Sequence, residues 1–307
     1  MSHSTGRRLR AILIALLVTV LWSTSWVLIK IGLRDIPALS FAGIRYAIAF
    51  LTLLPFLFRR GRLKALRGLP AVGWVRLAVL GIVFYTMTQG AQFVSLSMIP
   101  AMTVSLLLSF SAALVAVLGA LFLGESPTPA QWAGIVVYLA GVAVYFLPFS
   151  LPSGSGPGIL VALLCVASNV GSSLLGRAVN RDPALDPLTV TTVSMGIGGV
   201  LLLAMGAGLQ GIPHLSLQAW GILLWLAVVN SALAYTLWNL SLKDLTATES
   251  SMINNTMLFQ IAILAWLFLD EGLTWKSIAG ILVAAAGTAL VQLCGRAERK
   301  PAGSAVR

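Results

Sequence analysis

The stretch LFLGESPTPAQWAGIVVYLAGVA, Leu121 to Ala143, returns without a gap 146 residues later as LFLDEGLTWKSIAGILVAAAGTA, Leu267 to Ala289. Twelve of the 23 aligned positions are identical, among them Glu125 with Glu271, Thr128 with Thr274, Gly134 with Gly280 and Gly141 with Gly287. A Leu-, Ala- and Val-rich alphabet raises chance identity, but it does not align a Glu, a Thr and two Gly together. The chain is an internal duplication, and a repeat of this length sets the architecture. The start of each half agrees at an offset of 147: Ala15-Leu16-Leu17 with Ala162-Leu163-Leu164, Lys30 with Arg177, and Arg34-Asp35 with Arg181-Asp182.

Hydrophobic residues make up 58% of the chain and charged residues 9%, roughly a third of the charge of an ordinary soluble protein. So much apolar length calls for lipid as the solvent. The net charge of +11 then reads as topology signal and contact with anionic head groups, and no nucleic-acid partner is expected. Cys165 and Cys294 suggest neither a disulfide framework nor a metal knuckle. The basic N-terminus (Arg7, Arg8, Arg10) precedes an apolar run from Ala11 to Leu28, too long for a signal core and without a cleavage site before Lys30. It is read as an uncleaved first transmembrane helix.

About 20 apolar residues cross a hydrocarbon core. On that rule the sequence predicts ten spans: 9–31, 37–58, 72–96, 100–123, 130–148, 157–179, 187–208, 217–242, 247–269 and 274–294. Prolines mark the boundaries, and the longest break, PFSLPSGSGPG from Pro148 to Gly158, falls between spans five and six. The expected organisation is a first five-helix repeat over 1–148, a linker at 149–157, a second repeat over 158–296 and a tail at 297–307. With the N-terminus inside, 15 Lys and Arg lie on the inner side and three (Lys30, Arg34, Lys276) on the outer side, while Arg45 and Arg76 fall within spans. Both termini are therefore expected to be cytoplasmic. Five spans per half is an odd number, so the halves must be oppositely oriented. The fold expected is an all-α integral membrane protein of ten transmembrane helices in two inverted-topology repeats, a plan common among secondary transporters with a central site near the midplane.

Three segments carry a resemblance to a known family: LWSTSWVLIKIGL (21–33), LFLGESPTPAQWAG (121–134) and its echo LFLDEGLTWKSIAG (267–280). The chain resembles the drug/metabolite transporter superfamily, specifically its EamA-type ten-helix members, over essentially its whole length. In this sequence Asp270, not Gly, precedes the second glutamate. The resemblance implies a carrier in the bacterial inner membrane, often an amino-acid exporter, and leaves the substrate open among amino acids, other metabolites and drugs.

Polar groups at membrane depth are informative because they must be paired or face water. The duplication filters them, since equivalent positions of an inverted repeat face the same central space. Trp22 maps to Asn169, Ser25 to Ser172, Trp26 to Ser173, Gln89 to Tyr235, Gln92 to Trp238 and Ser109 to Asn255. Trp22, Ser25 and Trp26 share one helical face, as do Tyr85, Gln89 and Gln92, and Tyr235, Trp238 and Asn239. Any one Ser or Asn is read more simply as interhelical hydrogen-bonding glue. As a set, the thirteen residues Trp22, Ser25, Trp26, Tyr85, Gln89, Gln92, Ser109, Asn169, Ser172, Tyr235, Trp238, Asn239 and Asn255 form the expected substrate-binding site. Such a lining suits a neutral or zwitterionic small molecule with an apolar portion. Lys30 is read as a snorkelling interfacial anchor. Arg45, about eight residues inside its span, is open between a cavity role and a helix-packing pair. The repeated glycines are expected to pack helices closely.

The nine carboxylates (Asp35, Glu125, Asp182, Asp186, Asp244, Glu249, Asp270, Glu271, Glu298) all lie away from the midplanes of these spans. Proton relays and exporters of cationic drugs place an acid there, so a facilitator or exchanger is expected. Glu125 and Glu271 are expected to cap the adjacent helix N-termini. His3 and His214 have neither triad nor metal partners, and no Gly-rich phosphate loop is present. The expectation is a non-enzyme without cofactor, acting as a monomer on a small-molecule substrate in contact with membrane lipids. A drug or nucleobase-like exporter is the alternative within transport, and a scaffold or lipid-handling protein the alternative outside it.

Overall fold

The computed structural model describes residues 2–58, 61–99, 101–147, 155–183, 185–269 and 274–294. The segments that join the two halves (148–154) and follow 294, and with them most of the expected linker and the whole tail, lie outside the described residues, as do Asp270 and Glu271. Among the described residues the structure is entirely helical. In chain order the helices are α1 (Ser2–Gly32), α2 (Ala38–Leu57), α3 (Ala71–Met98), α4 (Ala101–Ser109), α5 (Ser111–Leu123), α6 (Pro129–Phe146), α7 (Gly156–Asn180), α8 (Pro187–Gln210), α9 (Leu217–Ser241), α10 (Ala247–Asn255), α11 (Met257–Leu269) and α12 (Trp275–Cys294). A short helix, Arg62–Arg67, lies between α2 and α3.

Eight of the described helical stretches are long and apolar enough to cross a membrane, and Pro129–Tyr145 is a shorter ninth. The expected span 247–269 is not one such helix. It is interrupted at Thr256, and its first part, ATESSMINN, is polar. Local chemistry accounts for the helix starts. Pro129 occupies the first turn of α6, where its missing N–H is no loss, and Thr128 with Gln131 forms a reciprocal capping box. Thr246 and Glu249 do the same for α10, and Asp186 caps α8 ahead of Pro187.

The packing follows the duplication. The equivalent helices α6 and α12 pack against each other, as do α2 and α8. The first helix of each half packs on the third and fourth segments of the other: α1 on α9, α10 and α11, and α7 on α3, α4 and α5. The α6–α12 contact is made through the repeated glycines. A methyl group at Gly134 would lie 2.8 Å from the carbonyl oxygen of Gly287, and one at Gly287 would lie 2.6 Å from that of Gly134. Gly141 and Gly280 are reciprocal in the same way, at 2.7 and 2.8 Å. First glycine meets last and last meets first, so the two helices run antiparallel. Such self-complementary contact is the signature of a two-fold relation. The small residues let the backbones touch, which in lipid replaces the hydrophobic drive of a soluble core.

Candidate functional site at the junction of the two halves

Four departures from regular helix shape the centre of the bundle, in two pairs related by the repeat offset. Wide, π-type turns occupy Ile82–Gln89 of α3 and Val228–Leu233 of α9. In each, a hydroxyl reaches back five residues to a carbonyl: Thr88 Oγ1 donates to Val83 O at 2.8 Å and Ser231 Oγ to Leu226 O at 2.9 Å. Such turns redirect side chains and recur at functional sites. The second pair is the interruption at Phe110, between α4 and α5, and at Thr256, between α10 and α11.

These irregular segments surround one cavity between the halves. Of the thirteen residues singled out from the sequence, twelve line it: Trp22, Ser25, Trp26, Gln89, Gln92, Ser109, Asn169, Ser172, Tyr235, Trp238, Asn239 and Asn255. Tyr85 does not line it. Its ring packs against those of Tyr235 and Tyr46, at centroid distances of 5.2 and 5.4 Å, and supports the wall from behind.

The wall is preorganised by hydrogen bonds, two sets of which tie repeat-equivalent positions together. Tyr46 Oη donates to Gln89 Oε1 at 2.8 Å and lies 3.1 Å from Tyr235 Oη, so one hydroxyl of α2 bridges the equivalents Gln89 and Tyr235. The amide of Asn255 donates to the carbonyl of Ser109 at 3.0 Å, and Asn255 Oδ1 accepts from Ser111 at 3.4 Å. Asn180 donates to Asn239 Oδ1 at 2.6 Å, and Asn239 donates to Thr191 at 2.9 Å, which holds the orientation of the Asn239 amide. Trp22 Nε1 donates to Asn230 O in the π turn at 3.0 Å. Its ring lies 4.8 Å from that of Tyr235 and 5.1 Å from that of Trp238, a three-ring aromatic surface.

Arg45 also reaches the cavity. Its Nε donates to Ser231 Oγ at 2.8 Å, and its guanidinium sits 5.2 Å from the Tyr46 ring centroid and 5.9 Å from that of Phe93. Among the described residues it is the only charged side chain in the lining. The sequence pointed to both possible roles of Arg45 without deciding between them. Ser105, Ser111, Tyr138 and Asn254 line the cavity as well and were not singled out. Tyr46 and Asn230 were missed entirely. An Asn and a Tyr buried in apolar runs are the signal that points to them.

Next to Gly176 and Leu242 of the cavity lining lies a group of ion pairs. Glu125, at the end of α5, pairs with Arg177 at 2.9 Å and Arg181 at 3.1 Å on α7, and its other oxygen accepts from the backbone N–H of Ala247 at 2.8 Å. Glu125 thus caps α10 of the other half, while Thr128 caps the adjacent α6. The expected cap on the neighbouring helix is corrected: the short turn after Leu123 carries the carboxylate toward α7 and α10. Arg177 also donates to the carbonyls of Leu242 and Lys243. Beside this group Arg8 of α1 pairs with Glu249 and donates to Gln292 O at 2.9 Å, and Gln292 donates to Glu249 O at 2.9 Å. These bonds bring the start of α1 and the end of α12 to the same end of the bundle. The repeat counterparts of Arg177 and Arg181 are Lys30 and Arg34, and both are exposed.

A model of the EamA-like transporter family matches residues 9–147 and 156–293, one copy per half. An uncharacterized transporter of Archaeoglobus fulgidus is 26% identical over 91% of this chain and 96% of its own length. The uncharacterized transporter YvbV of Bacillus subtilis is 28% identical over 95% of this chain and 94% of its own. An S-adenosylmethionine/S-adenosylhomocysteine transporter of Chlamydia trachomatis is 25% identical over 85% of this chain and 82% of its own. A solved crystal structure shares the fold with a TM-score of 0.75 at 20% identity, covering 93% of this chain and 98% of that one.

Proposed function

The chain belongs to the EamA-like transporter family, and from that premise we propose that it exports amino acids or similar small metabolites by alternating access. The transporter is a multi-pass membrane protein. In our reading it is a monomer in the bacterial inner (plasma) membrane with both termini cytoplasmic. Residues 1–148 and 158–296 are the two inverted five-helix repeats, and α10 with α11 completes the tenth crossing. The observation that carries the proposal is the cavity between the repeat copies, lined by the aromatic surface of Trp22, Tyr235 and Trp238 together with amides and hydroxyls. Aromatic faces take the apolar part of a metabolite, and fixed amides and hydroxyls orient its polar ends.

The ion pairs at the end bearing Glu125 and Arg8 support alternating access, because they tie together segments of both halves at that end. In this reading they close the cytoplasmic entrance, and rocking of one repeat against the other transfers closure to the opposite end. No carboxylate lines the cavity among the described residues, which favours a facilitator or exchanger that carries solute down its own gradient.

A second reading takes the relative from Chlamydia trachomatis as its guide. S-adenosylmethionine combines an amino-acid end with a nucleoside, and the three-ring surface would suit the flat base. Liposomes holding the purified full chain, preloaded with a panel of labelled amino acids and with S-adenosylmethionine, separate the two. Release of amino acids faster than from empty liposomes supports the first reading, release of the nucleoside conjugate alone supports the second, and release of neither removes both.

A further inference from the structure

We propose that Arg45 is the carboxylate anchor of the cavity, and that a transported molecule carries a carboxylate which pairs with its guanidinium. This inference rests on the transport reading above and names the chemical group that the site selects.

Arg45 lies seven residues past Ala38 on α2, roughly 10 Å along a helix about 30 Å long. Only 2% of its surface is accessible, and arginine keeps its charge even when buried. An uncompensated cation at that depth is strongly unfavourable. Among the described residues, however, the ion pairs are Arg8–Glu249, Arg62–Asp186 and Arg177 and Arg181 with Glu125, and none includes Arg45. Its Nε is engaged by Ser231, and the aromatic rings of Tyr46 and Phe93 hold the guanidinium in place. The outer N–H groups are the part left to meet a ligand in the cavity that Arg45 lines.

The chemistry favours one carboxylate. A planar guanidinium presents parallel N–H donors matched to the two oxygens of a carboxylate. A di- or triphosphate would call for further cations, and the lining offers none among the described residues. The remaining wall accepts what a carboxylate-bearing metabolite brings with it. The faces of Trp22, Tyr235 and Trp238 take an apolar chain or, by cation–π attraction, an ammonium group. Charge balance is complete with an anion, and a zwitterion fits with its ammonium on the rings.

The test uses the full chain in detergent and in liposomes, with matched probes that differ only in the acid: leucine, its 2-oxo acid, its amide and its decarboxylated amine, and the same set built on phenylalanine. Binding is read by intrinsic tryptophan fluorescence and by ligand-dependent thermal shift, and transport by counterflow. Carboxylates are expected to bind about 30-fold or more tightly than the amide and amine, and Arg45→Gln is expected to bring the ratio to about 1. Arg45→Lys, which keeps the charge but loses the fork, should fall between them. Amide and amine binding equal to the acids, an unchanged ratio in Arg45→Gln, or no binding of any carboxylate probe overturns the proposal. Should Arg45→Gln fail to fold, the wild-type comparison and Arg45→Lys decide it alone. Binding of the 2-oxo acids without the amino acids leaves the anchor standing and removes the amino-acid reading.

Discussion

Asn255 donates its side-chain amide to the backbone carbonyl of Ser109, 3.0 Å away, and these two residues hold the same position in the two copies of the repeat. Each stands one residue before a break in its helix, at Phe110 and Thr256. A helix break frees carbonyls from the intrahelical ladder, and here one of them is taken up by the amide of the other half. The contact therefore couples the two discontinuous segments across the wall of the cavity. Asn255→Ala is expected to lower thermal stability by about 1 kcal/mol and to slow transport more than Asn254→Ala, whose residue also lines the cavity but makes no such bond in the structure. Equal flux in the two variants would argue against the coupling.

The aromatic surface yields a graded expectation. Trp22→Phe keeps a ring against Tyr235 and Trp238 but removes the bond from Nε1 to Asn230 O. Trp22→Ala removes both. Transport efficiency should fall by about 3- to 10-fold in the first and further in the second, with Asn169→Ala adding to the loss. A kinetic series in liposomes checks this, and a double variant with unchanged flux would remove the proposed site.

Glu125 has a sharp energetic consequence. Its partner Arg177 has a side chain only 4% exposed, so Glu125→Gln leaves a buried cation without its counter-charge. Removing one partner of such a pair costs about 3–5 kcal/mol. Thermal unfolding of Glu125→Gln, Arg177→Gln and the double variant should show the double variant to be less damaged than the sum of the two. In the single variants a cysteine introduced at the cavity residue Ser172 should also become more reactive to reagents added from the side that bears the start of α1.

The helix pair α6–α12 permits a steric test. Gly287→Val places a side chain against the backbone of Tyr138 and the carbonyl of Gly134, where nothing flexible can give way. Overpacking of this kind costs about 1–3 kcal/mol and should be visible as loss of the monodisperse peak in size-exclusion chromatography. Gly221→Ala, at a glycine with no heavy atom within 4 Å of an added methyl, should behave like the parent protein.

Membrane sidedness can be read by chemical labelling. In a background without Cys165 and Cys294, Arg34→Cys should react with an impermeant maleimide in intact cells. Lys64→Cys should react only after the membrane is opened. The opposite pattern would invert the proposed orientation.

What could be read from the sequence and what could not divides along a physical line. Apolar run length, the repeat offset and helical periodicity are local or self-referential properties. They were enough for an all-helical, duplicated membrane architecture, for the close-packing role of the glycines, and for a short set of deep polar positions that meet around one cavity. Contacts between residues far apart in the chain depend on how helices cross, which no local pattern encodes. So it was the tertiary structure that set Tyr85 behind the wall and placed Tyr46 between Gln89 and Tyr235. It also directed Glu125 to α10 in place of the adjacent α6. The paired π turns and helix breaks belong to the same class: they hold where packing against the opposite half and side-chain bonds compensate for lost backbone bonds. Arg45 shows the division most plainly. Its charge and its depth in an apolar run are properties of the sequence. That it stands at the cavity with no ion-pair partner among the described residues was decided by the fold, because the described carboxylates that form ion pairs are held by other arginines near the helix ends.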